Sequence, residues 1–185
     1  MRYYKKIVGE NIYLSPINLE DYETYVSWMN NFNCTDCIGS SYKIINLLSE
    51  KEYIEQTLKE QKYQFAIVKL DNDKLIGNCG FYELNNIIRS SQIGIFIGDE
   101  ENRDKGYGKE AINLLLDYGF NYLNLNNIML KVFSFNNRAI NVYKNVGFKE
   151  IGARRKSYFL NGKYYDEVYM DIISEEFNKK FIKNK

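Results

Sequence analysis

The segment Arg103-Asp104-Lys105-Gly106-Tyr107-Gly108 joins an apolar stretch, residues 90–98, to a long amphipathic one reaching Leu123. A strand that must turn through glycines into a helix constrains the fold more than any other feature. A turn of this kind leaves the first helical N–H groups unpaired and exposes the positive end of the helix dipole. Such a turn binds phosphate. Arg103 and Lys105 set cations beside it, as a pyrophosphate would favour.

Periodicity around this turn gives the rest of the architecture. Residues 11–17 alternate as a strand, with Asn18 and Asp21 resembling a cap. Leu19, Tyr22, Tyr25, Val26 and Met29 then carry helical spacing to about residue 31. Ser49 and Glu52 read as a capping box opening a helix through about Gln61. Residues 64–70 and 74–84 flank Asp71-Asn72-Asp73 as a hairpin, and residues 90–98 continue the meander. The helix over 105–123 buries Ala111, Leu115, Tyr118 and Tyr122, with Ile112, Leu116 and Leu123 beside them. Residues 127–134 form a strand and 137–145 a short helix capped by Gly147. Residues 148–152 follow as a strand, and 157–160 pairs with 163–172 across Asn161-Gly162. The last dozen residues read as a polar tail helix. The fold class is α/β (α+β): one domain, 1–185 with a tail from 173, and a mixed, mostly antiparallel central sheet flanked by helices.

Composition narrows the function. The 185 residues are 45% hydrophobic and 26% charged, with a net charge of +1, an ordinary soluble balance without the basic excess of a nucleic-acid binder. No apolar run approaches the roughly 20 residues of a membrane span. Ile7-Val8 is too short for the apolar region of a signal peptide. The expected compartment is the cytoplasm, with no nucleic-acid or membrane partner. Cys34 and Cys37 form C-x-x-C, but with no histidine and only Cys79 remaining, Cys and His cannot complete a four-ligand zinc site. The pair reads as coincidence, and no metal is expected. Without histidine, every Ser-His or Cys-His mechanism is excluded. Acid–base work falls to Tyr, Glu, Asp, Lys, Cys or water.

Gly106-Tyr107-Gly108-Lys109-Glu110-Ala111 also fits G-x-G-x-x-A, the dinucleotide fingerprint of a nicotinamide oxidoreductase. That reading fails on two counts. Residues 99–105 separate strand from glycine, and Asn126, Asn127 and Ile128 stand where an acid should hold the ribose. The P-loop fails because no Gly-Lys-Ser/Thr follows.

Residues 95–111 closely resemble the acetyl-CoA site of the GNAT superfamily of N-acetyltransferases, whose Q/R-x-x-G-x-G/A signature matches Arg103, Gly106 and Gly108. Residues 136–148 resemble that family's N-x-x-A-x-x-x-Y-x-x-x-G-F segment. Residues 159–166 resemble the NGxxxD hairpin of the branch that modifies ribosomal-protein N-termini and polyamines. The resemblance runs from about residue 8 to 173 and is strongest over 93–170. It implies a GNAT-like domain that uses acetyl-CoA as cosubstrate and moves its acetyl group directly to a primary amine in a ternary complex.

The resemblance also assigns roles. Ile95, Phe96 and Ile97 would expose backbone to the pantetheine where two strands splay, and one N–H would stabilise the oxyanion. Residues Asn102, Arg103, Asp104, Lys105, Gly106, Tyr107 and Gly108 would hold the pyrophosphate. Asn136 would bond the pantetheine arm, cap its helix, or both. Tyr143 would protonate the departing thiolate; a tyrosine with its pKa near about 10 is protonated at neutral pH. The base is Glu83 or a bound water. Two positions depart from the family pattern: Gln92 where branch members often carry Glu, and Asp104 where glycine is usual.

The acceptor would be read by residues 22–33, 38–48 and 154–166. Peptide N-termini, amino acids, polyamines and aminoglycoside-like drugs all fit. Exposed tyrosines are compatible with a homodimer. The rival from another class is a catalytically silent acyl-CoA-binding sensor or partner module on the same fold.

Overall fold

The computed structural model describes residues 2–60 and 63–183. They form one eight-stranded sheet. Its strands are β1 (Ile7–Val8), β2 (Ile12–Pro16), β3 (Gln64–Lys69), β4 (Leu75–Asn85), β5 (Ser90–Ile97), β6 (Asn127–Phe133), β7 (Lys149–Leu160) and β8 (Lys163–Ile173). The spatial order is β1-β2-β3-β4-β5-β6-β8-β7. Among the described residues, β5 and β6 make the one parallel pair. Helices α1 (Tyr22–Met29), α2 (Phe32–Thr35), α3 (Leu47–Lys59), α4 (Tyr107–Asn121) and α5 (Asn137–Val146) flank the sheet. This is the mixed, mostly antiparallel architecture expected.

Side-chain alternation along the strands divides the core into two layers. Ile12, Leu14, Ile67 and Ile76 meet Ala111, Leu114 and Leu115 of α4 on one face. Tyr13, Ala66 and Val68 meet Tyr25 and Trp28 of α1 and Ile54 of α3 on the other. Each large side chain so buried stabilises the fold by about 1.5–3 kcal/mol. Glu110 fixes α4 to the edge strands: Oε1 accepts the N–H groups of Glu10 at 2.6 Å, Asn11 at 2.9 Å and Ile12 at 3.2 Å.

Four local expectations are corrected. First, Asn46 caps α3. Its side chain accepts from Ser49 N at 2.9 Å while Ser49 Oγ accepts from Asn46 N at 3.2 Å, so the box lies three residues earlier than Ser49/Glu52. The expected helix end at Gln61 lies outside the described residues. Second, Tyr122 is exposed. It falls just past the end of α4 and stacks on Tyr118 at 5.6 Å instead of entering the core.

Third, residues 148–152 and 157–160 belong to a single strand, β7. Register shifts between Glu150 and Gly152, and between Arg154 and Tyr158, break the alternation that would reveal its continuity. Lys156, at φ 49°, sits in the second of these, and Asp166 Oδ1 accepts its N–H at 2.7 Å. Fourth, the tail is not helical. After a 3-10 turn at Ser174–Glu176 the chain runs without regular structure to Lys183. Buried Asp117 of α4 accepts the N–H groups of Phe181 at 2.5 Å and Ile182 at 2.9 Å, so they cannot close helical bonds.

Candidate active site

β5 and β6 pair only at Ser90↔Asn127, Ser91↔Ile128 and Gln92↔Met129. Beyond these three pairs the strands splay, each still bonded to its outer neighbour, β4 or β8. The Gly98 N–H donates to Ile76 O at 3.0 Å. By antiparallel alternation, Gly94 and Phe96 therefore also pair with β4, whereas Ile95 and Ile97 turn N–H and C=O toward the gap. Of the three expected strand residues, Ile95 and Ile97 thus offer backbone to the gap; Phe96 contributes its side chain, which lines the cleft and packs against Trp28. The Ile97 carbonyl is already taken by Arg103 Nε at 3.1 Å.

The gap opens into a cleft of about 660 Å³ between the mouths of α4 and α5 and the inner faces of α1 and α3. Gly106, at φ 85°, turns the chain into α4 with no side-chain cap. The first helical bond runs from Glu110 N to Gly106 O at 3.0 Å, which leaves the N–H groups of Tyr107, Gly108 and Lys109 without helical partners. A Cβ placed on Gly108 would meet only Ile97 Cγ1, at 3.9 Å. The turn is therefore an open cradle that a larger side chain would fill. Asn102, Arg103, Asp104, Gly106 and Gly108 line the cleft with Asn136 and Tyr143; Lys105 and the Tyr107 ring do not. Tyr107 lies instead beneath Lys69 Nζ, 5.9 Å from its centroid.

Arg103 is not a free cation at the cradle. Besides holding Ile97 O, its guanidinium donates to Cys34 Sγ at 2.9 Å and lies 3.8 Å from Glu100. Asp104 holds φ 59°, a left-handed conformation that Asp tolerates and that explains glycine as the usual residue. Its exposed carboxylate pairs with Arg138 at 3.3 Å, so the acid beside the cradle is partly neutralised.

Asn136 caps α5, accepting from Ala139 N at 3.2 Å, and also lines the cleft. Tyr143 packs edge-on against Phe148 at 6.0 Å. Its hydroxyl has no hydrogen-bond partner among the described residues. Burial, with a smaller contribution from the neighbouring Cys37 thiol, pushes its pKa up to about 12. The phenol is protonated at neutral pH. Cys34 and Cys37 are free thiols in the cleft wall, both raised in pKa chiefly by burial. No cluster of three or more metal-ligating side chains exists among the described residues.

The acceptor side differs from expectation. Tyr25, Met29, Asn33, Ile38, Lys43 and Ile45 line the cleft, as two of the three expected segments require. The hairpin segment 154–166 does not line it; Tyr158 stacks on Phe133 at 3.9 Å and supports the wall from behind. Glu83 is exposed and borders a smaller hollow that shares Tyr53, Gln64 and Tyr82 with this cleft. It stays beside a bound water as a base candidate. Sequence reasoning missed α3, which contributes Glu50, Ile54 and Thr57, its three buried residues, at helical spacing. The one signal available was their i, i+4, i+7 pattern, which reads as an ordinary core face.

The GNAT acetyltransferase domain model matches residues 11–149. The chain belongs to the GNAT acetyltransferase family. Enzymes of this family use acetyl-CoA, and the cradle, the splay and Tyr143 fit that cosubstrate. The GNAT chain is 36% identical over 111 residues to the spermidine N(1)-acetyltransferase of Vibrio cholerae, an alignment spanning 60% of this chain and 64% of that protein. It is 28% identical over 171 residues to a prophage-derived N-acetyltransferase of Bacillus subtilis, spanning 91% and 93%. The crystal structure of the Vibrio cholerae spermidine N-acetyltransferase with CoA and spermine superimposes with a TM-score of 0.82 at 28% identity, over 90% of this chain and 97% of that one. No helix among the described residues is long and apolar enough to cross a membrane.

Proposed function

We propose that this protein transfers the acetyl group of acetyl-CoA directly to a primary amine within one ternary complex. The observation that carries the reading is the unpaired inner edge of β5, which meets the uncapped start of α4 at one end of a single cleft. When bound there, the cosubstrate supplies an activated acyl group as a thioester. The N–H groups of Tyr107, Gly108 and Lys109 bind the diphosphate with the helix dipole behind them. Asn136 bonds the pantetheine arm. The Ile95 N–H faces the gap and donates to the carbonyl oxygen as negative charge develops. Tyr143 donates its proton to the departing sulfur. Arg103 is a positioning residue, holding Ile97 O and Cys34 so that the strand end keeps its shape. Glu83, in the hollow that adjoins the cleft, or a bound water takes the proton of the amine.

The Vibrio cholerae relative is named for spermidine and its crystal structure holds spermine, so polyamines belong beside peptide N-termini, amino acids and aminoglycosides as acceptors to try. The test is thiol release from acetyl-CoA against that panel. The proposal expects release that depends on both acetyl-CoA and one class of amine, and a product one acetyl group heavier. Coenzyme binding with no amine-dependent release would support the silent acyl-CoA-binding module instead.

A further inference from the structure

Glu50 lies on the inner face of α3, buried at 8% exposure, and lines the cleft. Among the described residues, no hydrogen bond or ion pair reaches its carboxylate. The other two cleft carboxylates are matched: Asp104 by Arg138 at 3.3 Å and Glu167 by Lys131 at 3.4 Å. Burial alone raises the Glu50 pKa above the ordinary carboxylate value. An ionised group withdrawn from water without a partner costs several kcal/mol, so a buried carboxylate facing a cavity calls for a cation.

The rest of that face brings no second charge. Two turns along it, Thr57 Oγ1 is fully buried and has no hydrogen-bond partner among the described residues. Seven residues of helix set the two groups about 10 Å apart. Between and around them the wall is neutral: Tyr53, Ile54, Gln64 and Tyr82, with Gln64 Oε1 already accepting from Tyr82 at 3.2 Å. One unpaired carboxylate at the edge of this neutral, largely apolar wall describes a site for a cationic aliphatic chain.

We infer that Glu50 is the anchor for the acceptor: its carboxylate pairs with an ammonium group, which restricts the substrate class to cationic alkylamines. The inference rests on the acetyltransferase reading and deepens it. Glu50 is assigned to recognition, and no proton transfer is assigned to it.

The experiment is calorimetric titration of 1,4-diaminobutane, and of uncharged 1,4-butanediol, into protein saturated with coenzyme A. The unaltered chain should bind the diamine and not the diol. Glu50→Gln should weaken the diamine by about tenfold or more, as loss of one member of a buried charge pair does. Glu50→Asp should restore part of the affinity. Coenzyme A affinity should stay within about twofold in both variants, because the cradle is distant. Equal diamine affinity in Glu50→Gln, equal binding of diol and diamine, or no diamine binding by a protein that binds coenzyme A would each overturn the anchor. Failure of the unaltered chain to bind coenzyme A would overturn the acetyltransferase reading beneath it.

Discussion

The two halves of the cleft are built on different principles. The coenzyme half, β5–α4 and β6–α5, is proposed to work through backbone: uncapped amides at Tyr107, Gly108 and Lys109, and an unpaired strand edge at Ile95. The acceptor half, α1 to α3 against the inner sheet face, is proposed to work through side chains, Glu50 above all. Backbone chemistry depends on local conformation, which glycine spacing and helix periodicity specify. Side-chain chemistry depends on which distant segments converge, and no short motif records that.

Substitutions can break or sharpen this contrast. The largest effect should come from Gly108→Trp. Space exists beside Ile97, so the fold should survive, but the indole fills the cradle; calorimetry should find acetyl-CoA affinity lower by about 100-fold or more, the loss of several charge-assisted bonds. Tyr143→Phe comes next. It should lower kcat by about 10²–10³-fold while leaving acetyl-CoA affinity unchanged, since the hydroxyl has no hydrogen-bond partner among the described residues. A retained kcat would remove Tyr143 from the acid role.

On the acceptor side, Glu50→Gln should stabilise. The raised carboxyl pKa means that the ionised group costs stability above the ordinary carboxylate pKa, increasingly so as pH rises through the raised value. Thermal melts should show a gain at about pH 8, at about 2–4 °C for each kcal/mol, and none near about pH 4. A gain independent of pH would assign the effect to packing. The smallest change belongs to Thr57→Val. It removes an unmatched buried hydroxyl and should leave stability unchanged or higher by up to about 1 kcal/mol in denaturant unfolding. A clear loss would reveal a partner for Thr57.

Legibility followed the same division. The turn at Arg103–Gly108, the cap at Asn136 and the Asn161-Gly162 hairpin were readable because each is a local backbone device; Asn161 and Gly162 indeed hold φ 48° and 78°. The mouth of β5 was readable in outline, though the alternation that favours Ile95 over Phe96 needed the register with β4. The contacts of Arg103 were not readable, because its partners Cys34 and Ile97 are supplied by tertiary packing. Glu83 was readable as near the cleft from its strand position; its φ of 51° marks an irregularity of β4, and its hollow shares Tyr53, Gln64 and Tyr82 with the cleft. Glu50 could not be found from sequence, because a glutamate in an amphipathic helix is ordinarily solvated. The tail resembled a helix until Asp117, more than sixty residues away, claimed its N–H groups.

The most direct test is a crystal structure with coenzyme A. The account predicts the diphosphate against the N–H groups of Tyr107, Gly108 and Lys109, the pantetheine arm between β5 and β6, and the sulfur beside the Tyr143 hydroxyl. A coenzyme seated elsewhere, or a β5–β6 gap closed by pairing beyond Gln92, would contradict it.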